Sequence, residues 1–347
     1  MRLFRKKLPD VILLFYLVSS LFPLNIHAQS YGGVKIGHGE YGLFLGNSHR
    51  AKGLRINWSD SDIEEISGVN ITLWKPDKNP TGVVRGVSIG LIRPSADVLK
   101  GVNLGILGVS AESEISGLNI GLLGAGSGED VNGITFGIFG VGAGRNMRGI
   151  TVGGFGAGAG GDVSGITIGG FGVGAGGNST GILFGLFGAG VGGNMKGINI
   201  AGFGIGAGGD ITGLSLGGIG VGAGNNLVGV NLSIIGIGAG EKISGLSLAG
   251  VGVGAKTIEG VTFGGIGVGA KYIKGITLSV GRIEVIKGGT LTGFSASAYN
   301  KIEGTQHGVT IGLVNYTHKL NGFQIGLLNI ATRNPRGRKI LPIINWN

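Results

Sequence analysis

Residues 149–180 carry the pattern that decides the fold: GITVGGFGAGAGGDVS is followed by GITIGGFGVGAGGNST. The two halves are near-copies of a sixteen-residue unit that recurs along much of the chain. Positions are numbered here from the first glycine of each unit, which is position 1. Units spaced by sixteen residues begin at Gly101, Gly117, Gly133, Gly149, Gly165, Gly181, Gly197, Gly213, Gly229 and Gly245. Less regular units begin at Gly53, Gly68, Gly86, Gly260, Gly275, Gly293, Gly308 and Gly322.

Each position of the unit has its own chemistry. Positions 2 and 4 are apolar and position 3 is mostly Asn, Thr or Ser, an alternation typical of a β-strand with one buried face. Position 7 is Phe in five consecutive units, positions 9 and 11 are mostly Val or Ala, and position 15 is usually apolar. We therefore expect positions 2, 4, 7, 9, 11 and 15 to point inward and position 3 to point outward. Glycines at positions 5–6 and 12–13, with Asp or Asn at position 14, predict tight corners.

The pattern predicts an all-β protein with a repetitive β architecture, one repeat of 14–18 residues per unit. A β-solenoid is favoured, in which stacked coils pair their backbones at about 4.8 Å. The alternative is a closed antiparallel outer-membrane β-barrel, because positions 2–11 have about the length of a membrane strand. Short connections at both ends of each unit, and an apolar position 15 that a barrel would leave in a turn, favour the solenoid.

Composition narrows the function classes. The chain has 80 glycines, yet 42% of its residues are hydrophobic and 13% charged, which is the opposite of a disordered composition. It has no cysteine and a formal net charge of +10, without a basic stripe of the kind that binds nucleic acid. Four basic residues before an apolar run predict a cleaved signal peptide at residues 1–28, and therefore export.

The repeats also divide the chain. Residues 29–85 are predicted to form an irregular N-terminal β segment or cap, and residues 86–292 the glycine-rich β repeats. Residues 293–347 are predicted to hold C-terminal repeat units and a basic terminal cap. The charged stretch at 57–65 and the terminal Arg and Lys residues would cap open sheet edges.

Several motifs resemble active sites but fit the repeat better. GxGxxG recurs in unit after unit with no helix to follow, so it does not indicate a dinucleotide site. Ser88 and Ser215 lie in GxSxG, but both occupy position 3 of a unit and are expected to be ordinary outward strand residues. The histidines of the predicted mature chain lie in the end regions without metal-ligand spacing: His38, His49, His307 and His318. We predict no catalytic, cofactor-binding or metal-binding residues, and Asx turns rather than calcium sites at position 14.

One feature does suggest a function. Positions 8, 10 and 12 are nearly all glycine and alternate with the apolar positions, so they would form an outer face without side chains. Glycine inside a strand is unfavourable and often marks the close approach of another backbone or ligand. We predict a docking face for a second surface, and the alternative is that these glycines only relieve crowding. The predicted docking residues are Gly156, Gly158, Gly172, Gly174 and Gly188.

The C-terminal units carry a resemblance. Gly308-VTIGLVNYTHKLN and Gly322-FQIGLLNIATRN resemble uncharacterised bacterial surface-repeat proteins built from G-[VL]-Q-[IL]-G-L-x-N units of about 15 residues. Gln324 and Asn329 occupy the polar positions of that motif, and the likeness is specific over 308–347 and loose over 86–292. It implies an exported envelope or surface protein with no assigned activity.

Together these observations predict a non-enzymatic, exported surface or envelope protein with a structural or adhesive role. Its expected partners are the cell envelope or another protein surface, with self-association and membrane contact left open and nucleic acid excluded. The location is the cell surface, the outer membrane or the medium. The alternative function is an outer-membrane β-barrel that forms a pore.

Overall fold

The computed structural model describes residues 25–29, 33–74 and 80–347, and these form two compact units, one up to Gly153 and one from Gly154 to Asn347. All regular structure in these residues is β-strand. Apart from residues 25–28, the predicted signal peptide lies outside the described residues, so the cleavage remains a prediction.

The described residues of the first unit form twelve strands, of which the last five alternate between long and short. They are β1 (Asn25–Gln29), β2 (Gly33–His38), β3 (Tyr41–Gly46), β4 (Arg50–Asn57), β5 (Glu65–Thr72), β6 (Val83–Gly90), β7 (Ser95–Gly105), β8 (Gly108–Gly121), β9 (Gly124–Ser127), β10 (Asp130–Gly137), β11 (Gly140–Ala143) and β12 (Met147–Gly153).

The second unit continues this alternation and ends in longer strands. They are β13 (Gly156–Ala159), β14 (Val163–Gly169), β15 (Gly172–Ala175), β16 (Ser179–Gly185), β17 (Gly188–Val191), β18 (Met195–Ala201), β19 (Gly204–Ala207), β20 (Ile211–Gly217), β21 (Gly220–Ala223), β22 (Asn226–Ser233), β23 (Gly236–Ala239), β24 (Lys242–Ala249), β25 (Gly252–Gly254), β26 (Thr257–Gly264), β27 (Gly267–Ser279), β28 (Arg282–Ala296), β29 (Tyr299–Ile311), β30 (Val314–Ala331) and β31 (Ile340–Trp346).

Strand pairing identifies each unit as a β-solenoid. In the first unit β8 and β10 pair in parallel with Gly117 opposite Gly133, and in the second β14 and β16 pair in parallel with Gly165 opposite Gly181. Each repeat is therefore one coil, paired in register with the next, which confirms the predicted all-β solenoid. The alternative of an antiparallel barrel is wrong, because such a barrel pairs successive strands antiparallel. Among the described strand pairs within each unit, antiparallel pairs occur only as β1–β2, β2–β3 and β30–β31.

Glycine at position 1 forms a corner that the sequence pattern did not predict. In Gly181, for example, φ is +123°, and an added Cβ would lie 2.1 Å from the carbonyl oxygen of Gly165 in the preceding coil. Only glycine fits such a backbone. The other two corners fall at positions 6–7 and 12–14, close to the prediction, but their cause differs: Gly170 at position 6 has an ordinary φ and is required because its Cβ would lie 1.7 Å from the Gly154 oxygen.

Only half of the positions that were expected to point inward are buried in the core. Positions 9, 11 and 15 point inward as predicted, for instance Val173, Ala175 and Ile211. Positions 2, 4 and 7, however, lie on the outside, and position 3 is buried. The physical reason is that strand alternation never changes phase: side chains at odd-numbered positions point inward, except at the corners 1, 7 and 13. The prediction that positions 2, 4 and 7 point inward assumed that every apolar row is buried, which does not hold for proteins in general.

Some of the buried polar side chains at position 3 hydrogen-bond to one another across coils, although both amide atoms of Asn199 are without a partner among the described residues. Asn103 Nδ2 donates to Asn119 Oδ1 at 2.7 Å, and Asn119 Nδ2 donates to Thr135 Oγ1 at 3.1 Å. Parallel in-register stacking places like residues one coil apart, so a polar row becomes a hydrogen-bonded ladder. The same principle holds near the C-terminus, where Asn300 donates to Asn315 at 2.8 Å and Asn315 to Asn329 at 2.7 Å.

The Asp and Asn residues at position 14 form a second ladder. The side-chain Oδ1 of Asp162 accepts the backbone N–H of Asn178 at 2.7 Å, Asn178 accepts from Asn194 at 2.9 Å, and Asn194 accepts from Asp210 at 2.8 Å. The expectation of turns closed within one coil is therefore corrected, because each side chain caps the backbone of the following coil. Asp and Asn are interchangeable here since both offer the accepting oxygen.

Candidate docking surface

The predicted docking glycines lie together on the outside of the second unit. Gly156, Gly172 and Gly188 face one another in register at position 8 of β13, β15 and β17, and Gly158 pairs with Gly174 at position 10. All five have ordinary φ angles. They are only partly exposed because neighbouring coils cover their edges.

Side chains would fit at these glycines, with varying ease. An added Cβ would lie 3.3 Å from the next coil at Gly156, Gly158 and Gly172, which is tight, and 3.7–3.8 Å away at Gly174 and Gly188, which is ordinary contact. Further along the row, Gly206 and Gly222 have open space. Crowding within the chain therefore does not account for the whole row.

The same positions carry large side chains one coil further on. Gly267 and Gly269 pair with Arg282 and Glu284, so the fold accommodates long charged residues at positions 8 and 10. The coils that contain Gly156 to Gly269 nevertheless have glycine at both positions without exception. Backbone geometry alone does not require this.

Beside the glycine row runs a ladder of exposed phenylalanines. Rings of Phe155, Phe171, Phe187 and Phe203 stack at centroid distances of 5.2, 5.1 and 5.1 Å and lie within 13° of parallel. They are 42–53% exposed, whereas the sequence pattern placed them inside. Position 7 is a corner, so the ring projects outward and stacks on the ring of the next coil. The row continues with Ile219, Ile235, Val251 and Ile266.

Aliphatic residues at positions 2 and 4 extend this surface on the other side of the phenylalanine row. Examples are Ile182 and Ile198, which are 36% and 39% exposed. Between residues 154 and 269, positions 2, 4, 6, 7, 8 and 10 carry no charged residue, and the charges are confined to the corner at positions 12–16. We call this uncharged area, formed by those six positions over residues 154–269, the docking surface.

A groove of about 700 Å³ lies among the outward apolar positions of the C-terminal coils. It opens where Ala296 and Ala298 replace the larger residues of neighbouring coils, such as Ile311 and Leu313. Ile343 of β31 forms part of its wall and has a positive φ of 68°, an unusual angle for a β-branched residue.

The motif residues lie apart from this surface. Ser88 and Ser215 are buried at position 3, so the prediction that they face outward is wrong. His307 Nδ1 contacts Asn321 Nδ2 at 3.3 Å and His318 Nδ1 contacts Thr332 Oγ1 at 2.9 Å. Within the described residues, no group of three or more His, Cys, Asp or Glu side chains is placed to hold a metal ion.

A buried charged cluster in the first unit was not predicted. Arg55 is fully buried and donates to Asp60 Oδ1 at 2.5 Å, Asn70 Oδ1 at 2.8 Å and Asn47 Oδ1 at 2.7 Å. Thr72 Oγ1 donates to Asp60 at 2.7 Å. Burial lowers the pKa of Arg55, and the adjacent carboxylate of Asp60 opposes that shift. Asp60 comes from the charged stretch that we expected to be a solvent-facing cap, and in fact it is the buried partner of Arg55.

An exposed ion pair supports the position-14 corner in the same unit. Arg145 bonds both carboxylate oxygens of Asp130, at 2.9 and 3.2 Å, and the backbone N–H of Asn146 donates to Asp130 at 3.2 Å. The hydrogen bonds from Arg145, followed by that from the Asn146 side chain, lower the pKa of Asp130 to about 2. These contacts join neighbouring coils.

Comparison with known proteins gives no further constraint, since no protein-family model, curated protein or solved structure matches the chain. None of the described residues belongs to a helix long and apolar enough to cross a membrane.

Proposed function

We propose that this protein is a non-enzymatic structural or adhesive module that binds a second surface through its docking surface. The main support for this proposal is the exposed, uncharged area on the second unit, which consists of stacked phenylalanines, aliphatic rows and glycines. Large exposed apolar patches on folded proteins generally mark interaction sites. The glycine row adds a flat strip where another backbone or ring could approach closely.

Export to the cell envelope is part of this proposal. It rests on the basic and apolar residues of the predicted signal peptide and on the resemblance of the C-terminal units to bacterial surface-repeat proteins. The partner is the cell envelope or another protein on it. The pore hypothesis is dropped, because it depended on the barrel fold.

The proposal is tested by altering the docking surface without disturbing the coils. Gly174, Gly190 and Gly206 are changed together to Thr, because a Cβ there meets nothing closer than 3.8 Å. In a second variant, Phe171, Phe187 and Phe203 are changed to Ser. The control changes Ser164, Lys196 and Ser244 to Thr at position 16 on the polar side.

The measurement is the fraction of expressed chain that sediments with washed cell envelopes. We expect both docking-surface variants to be largely released and the control to be retained like the parent. Equal retention of all variants, with unchanged circular dichroism, would show that the docking surface binds nothing.

A further inference from the structure

A second site lies in the C-terminal coils, on a side of the second unit that the docking surface does not include. It is a cleft of about 550 Å³, where successive coils turn at their position 12–14 corners. Lys287, His318, Lys319 and Arg333 line it, and we call it the basic cleft. Its volume lies in the range of small-ligand sites.

An irregularity in the repeat creates this cleft. The unit from Gly275 to the next at Gly293 is longer than its neighbours, and the register between β28 and β29 shifts between Val285 and Thr290. The extra residues place Lys287 and Gly288 outside the coil, with Gly288 at a φ of +75°. Beneath them Gly304 approaches the Gly289 oxygen so closely that a Cβ would lie 2.0 Å from it, which leaves this part of the cleft without side chains.

Charge in the cleft is unbalanced. Lys287, Lys319 and Arg333 are exposed and form no ion pair with any described residue. Glu303, the acidic residue of the lining, is already paired with Lys301 at 2.5 Å. That hydrogen bond, with smaller contributions from Arg282 and Lys287, lowers the pKa of Glu303. The cleft is therefore lined by three cationic side chains and one carboxylate, and that carboxylate is paired with Lys301, which is not part of the lining.

Neutral donors complete the lining. The hydroxyl-bearing side chains of Thr290, Thr305 and Tyr316 border the cleft. His318 is held by its 2.9 Å contact between Nδ1 and Thr332 Oγ1. Lysine and arginine with nearby hydroxyl groups are the groups with which proteins commonly bind phosphate oxygens.

We propose that the basic cleft binds a phosphoryl group, carried either by a soluble phosphate compound or by a phospholipid headgroup. Lys287, Lys319 and Arg333 supply the charge, because they come from three different coils and converge on one cleft. This site is independent of the docking surface and of the adhesive role.

The test uses the full chain with Lys287, Lys319 and Arg333 changed together to Gln. The control changes Arg148, Lys196 and Lys274 to Gln, which removes the same charge from exposed residues outside the cleft. Pyrophosphate binding is measured by calorimetry in about 0.1 M salt, where exposed charges more than about 10 Å apart are largely screened. A parallel assay measures sedimentation with phosphatidylglycerol vesicles and with phosphatidylcholine vesicles.

We expect the cleft variant to bind pyrophosphate at least tenfold more weakly than the parent and the control variant to bind like the parent. Vesicle binding that is lost in the same variant identifies a lipid headgroup as the source, and pyrophosphate binding without vesicle binding identifies a soluble ligand. The proposal is overturned if the parent binds neither probe, or if the control weakens binding as much as the cleft variant. The single variant R333Q, in an exposed turn, repeats the test should the triple variant fold poorly.

Discussion

At the scale of single residues, the interior of the coils depends on polar side chains that are paired with copies of themselves. Asn119 is fully buried, accepts from Asn103 and donates to Thr135. A lone buried amide would be destabilising, but a parallel stack can place a partner for it one coil away, as it does for Asn119. Sequence alternation cannot distinguish such a row from a solvent-facing one.

The Asn119 ladder gives a direct stability prediction. Replacing Asn119 by Ala leaves the Asn103 amide without its acceptor and Thr135 without its donor, so the free energy of unfolding should fall by about 1–3 kcal/mol. Urea unfolding followed by circular dichroism measures the change. The matched substitution of exposed Asn225 by Ala should change it by less than about 0.5 kcal/mol. Equal losses in both variants would contradict the ladder.

The low pKa of Asp130 predicts that the stability of the fold depends on pH. Its pKa is about 2 in the folded chain, below the usual value of 3.8, so its contribution to stability is present above about pH 4 and is lost as the pH falls toward 2. Because Arg145 is 57% exposed, this contribution should not exceed about 1 kcal/mol. Urea midpoints of the parent and of D130N, compared between pH 5 and pH 2.5, measure it. A parent-to-variant difference that stays constant across this range would refute the assignment.

At the scale of the coil, the glycines at position 1 and those at position 10 have different structural roles. Gly213 at position 1 has a φ of +126° and backbone from the preceding coil 2.1 Å from its would-be Cβ. Gly222 at position 10, in the same repeat, has nothing within 4 Å. The first is required by the corner, whereas the second is free to change as far as the fold is concerned.

This contrast predicts opposite outcomes for one chemical change. Gly213→Ala should lower the free energy of unfolding by about 2–4 kcal/mol, because it adds both backbone strain and a steric clash. Gly222→Ala should leave stability unchanged or raise it slightly, since alanine suits a strand better than glycine. Thermal unfolding of the two single variants tests the pair. A similar loss in both would mean that the position 10 glycines are structural after all.

The sequence predicted the period, the strands and two corners of the coil because these follow from spacing alone. The pattern placed Phe171 and Ile166 inside because apolar residues are usually buried. That assumption is wrong for positions 2, 4 and 7, whose side chains lie on the outside of the coil. The corner at position 1 was missed, although a glycine begins every unit, because spacing does not report a positive φ. The docking glycines lie on the outside of the coil, and their docking role stays a prediction. The basic cleft depends on an irregular repeat length, which a periodic pattern does not reveal.

At the scale of the whole molecule, both units divide their apolar side chains in the same way: those at positions 9, 11 and 15 are buried with the polar residue of position 3, whereas those at positions 2, 4 and 7 lie outside. In the second unit the outside is then divided between a polar corner and the uncharged docking surface. A protein built this way is stabilised by backbone pairing between coils, by polar ladders and by the buried apolar rows that stack from coil to coil. That division leaves the apolar rows on the outside available for binding.

Single introduced cysteines can show which positions of the coil face outward, because the chain has no cysteine of its own. In the first unit, cysteine replaces either Ile134, which is 51% exposed, or its neighbour Thr135, which is 1% exposed. In the second unit, it replaces either Ile276, which is 45% exposed, or Thr277, which is 1% exposed. The rate of modification by a thiol reagent is then measured under native conditions. We expect rapid modification at 134 and 276 and at least about 100-fold slower modification at 135 and 277, which are protected by the folded coils. Protection at the isoleucine positions with rapid modification at the threonine positions would contradict this expectation.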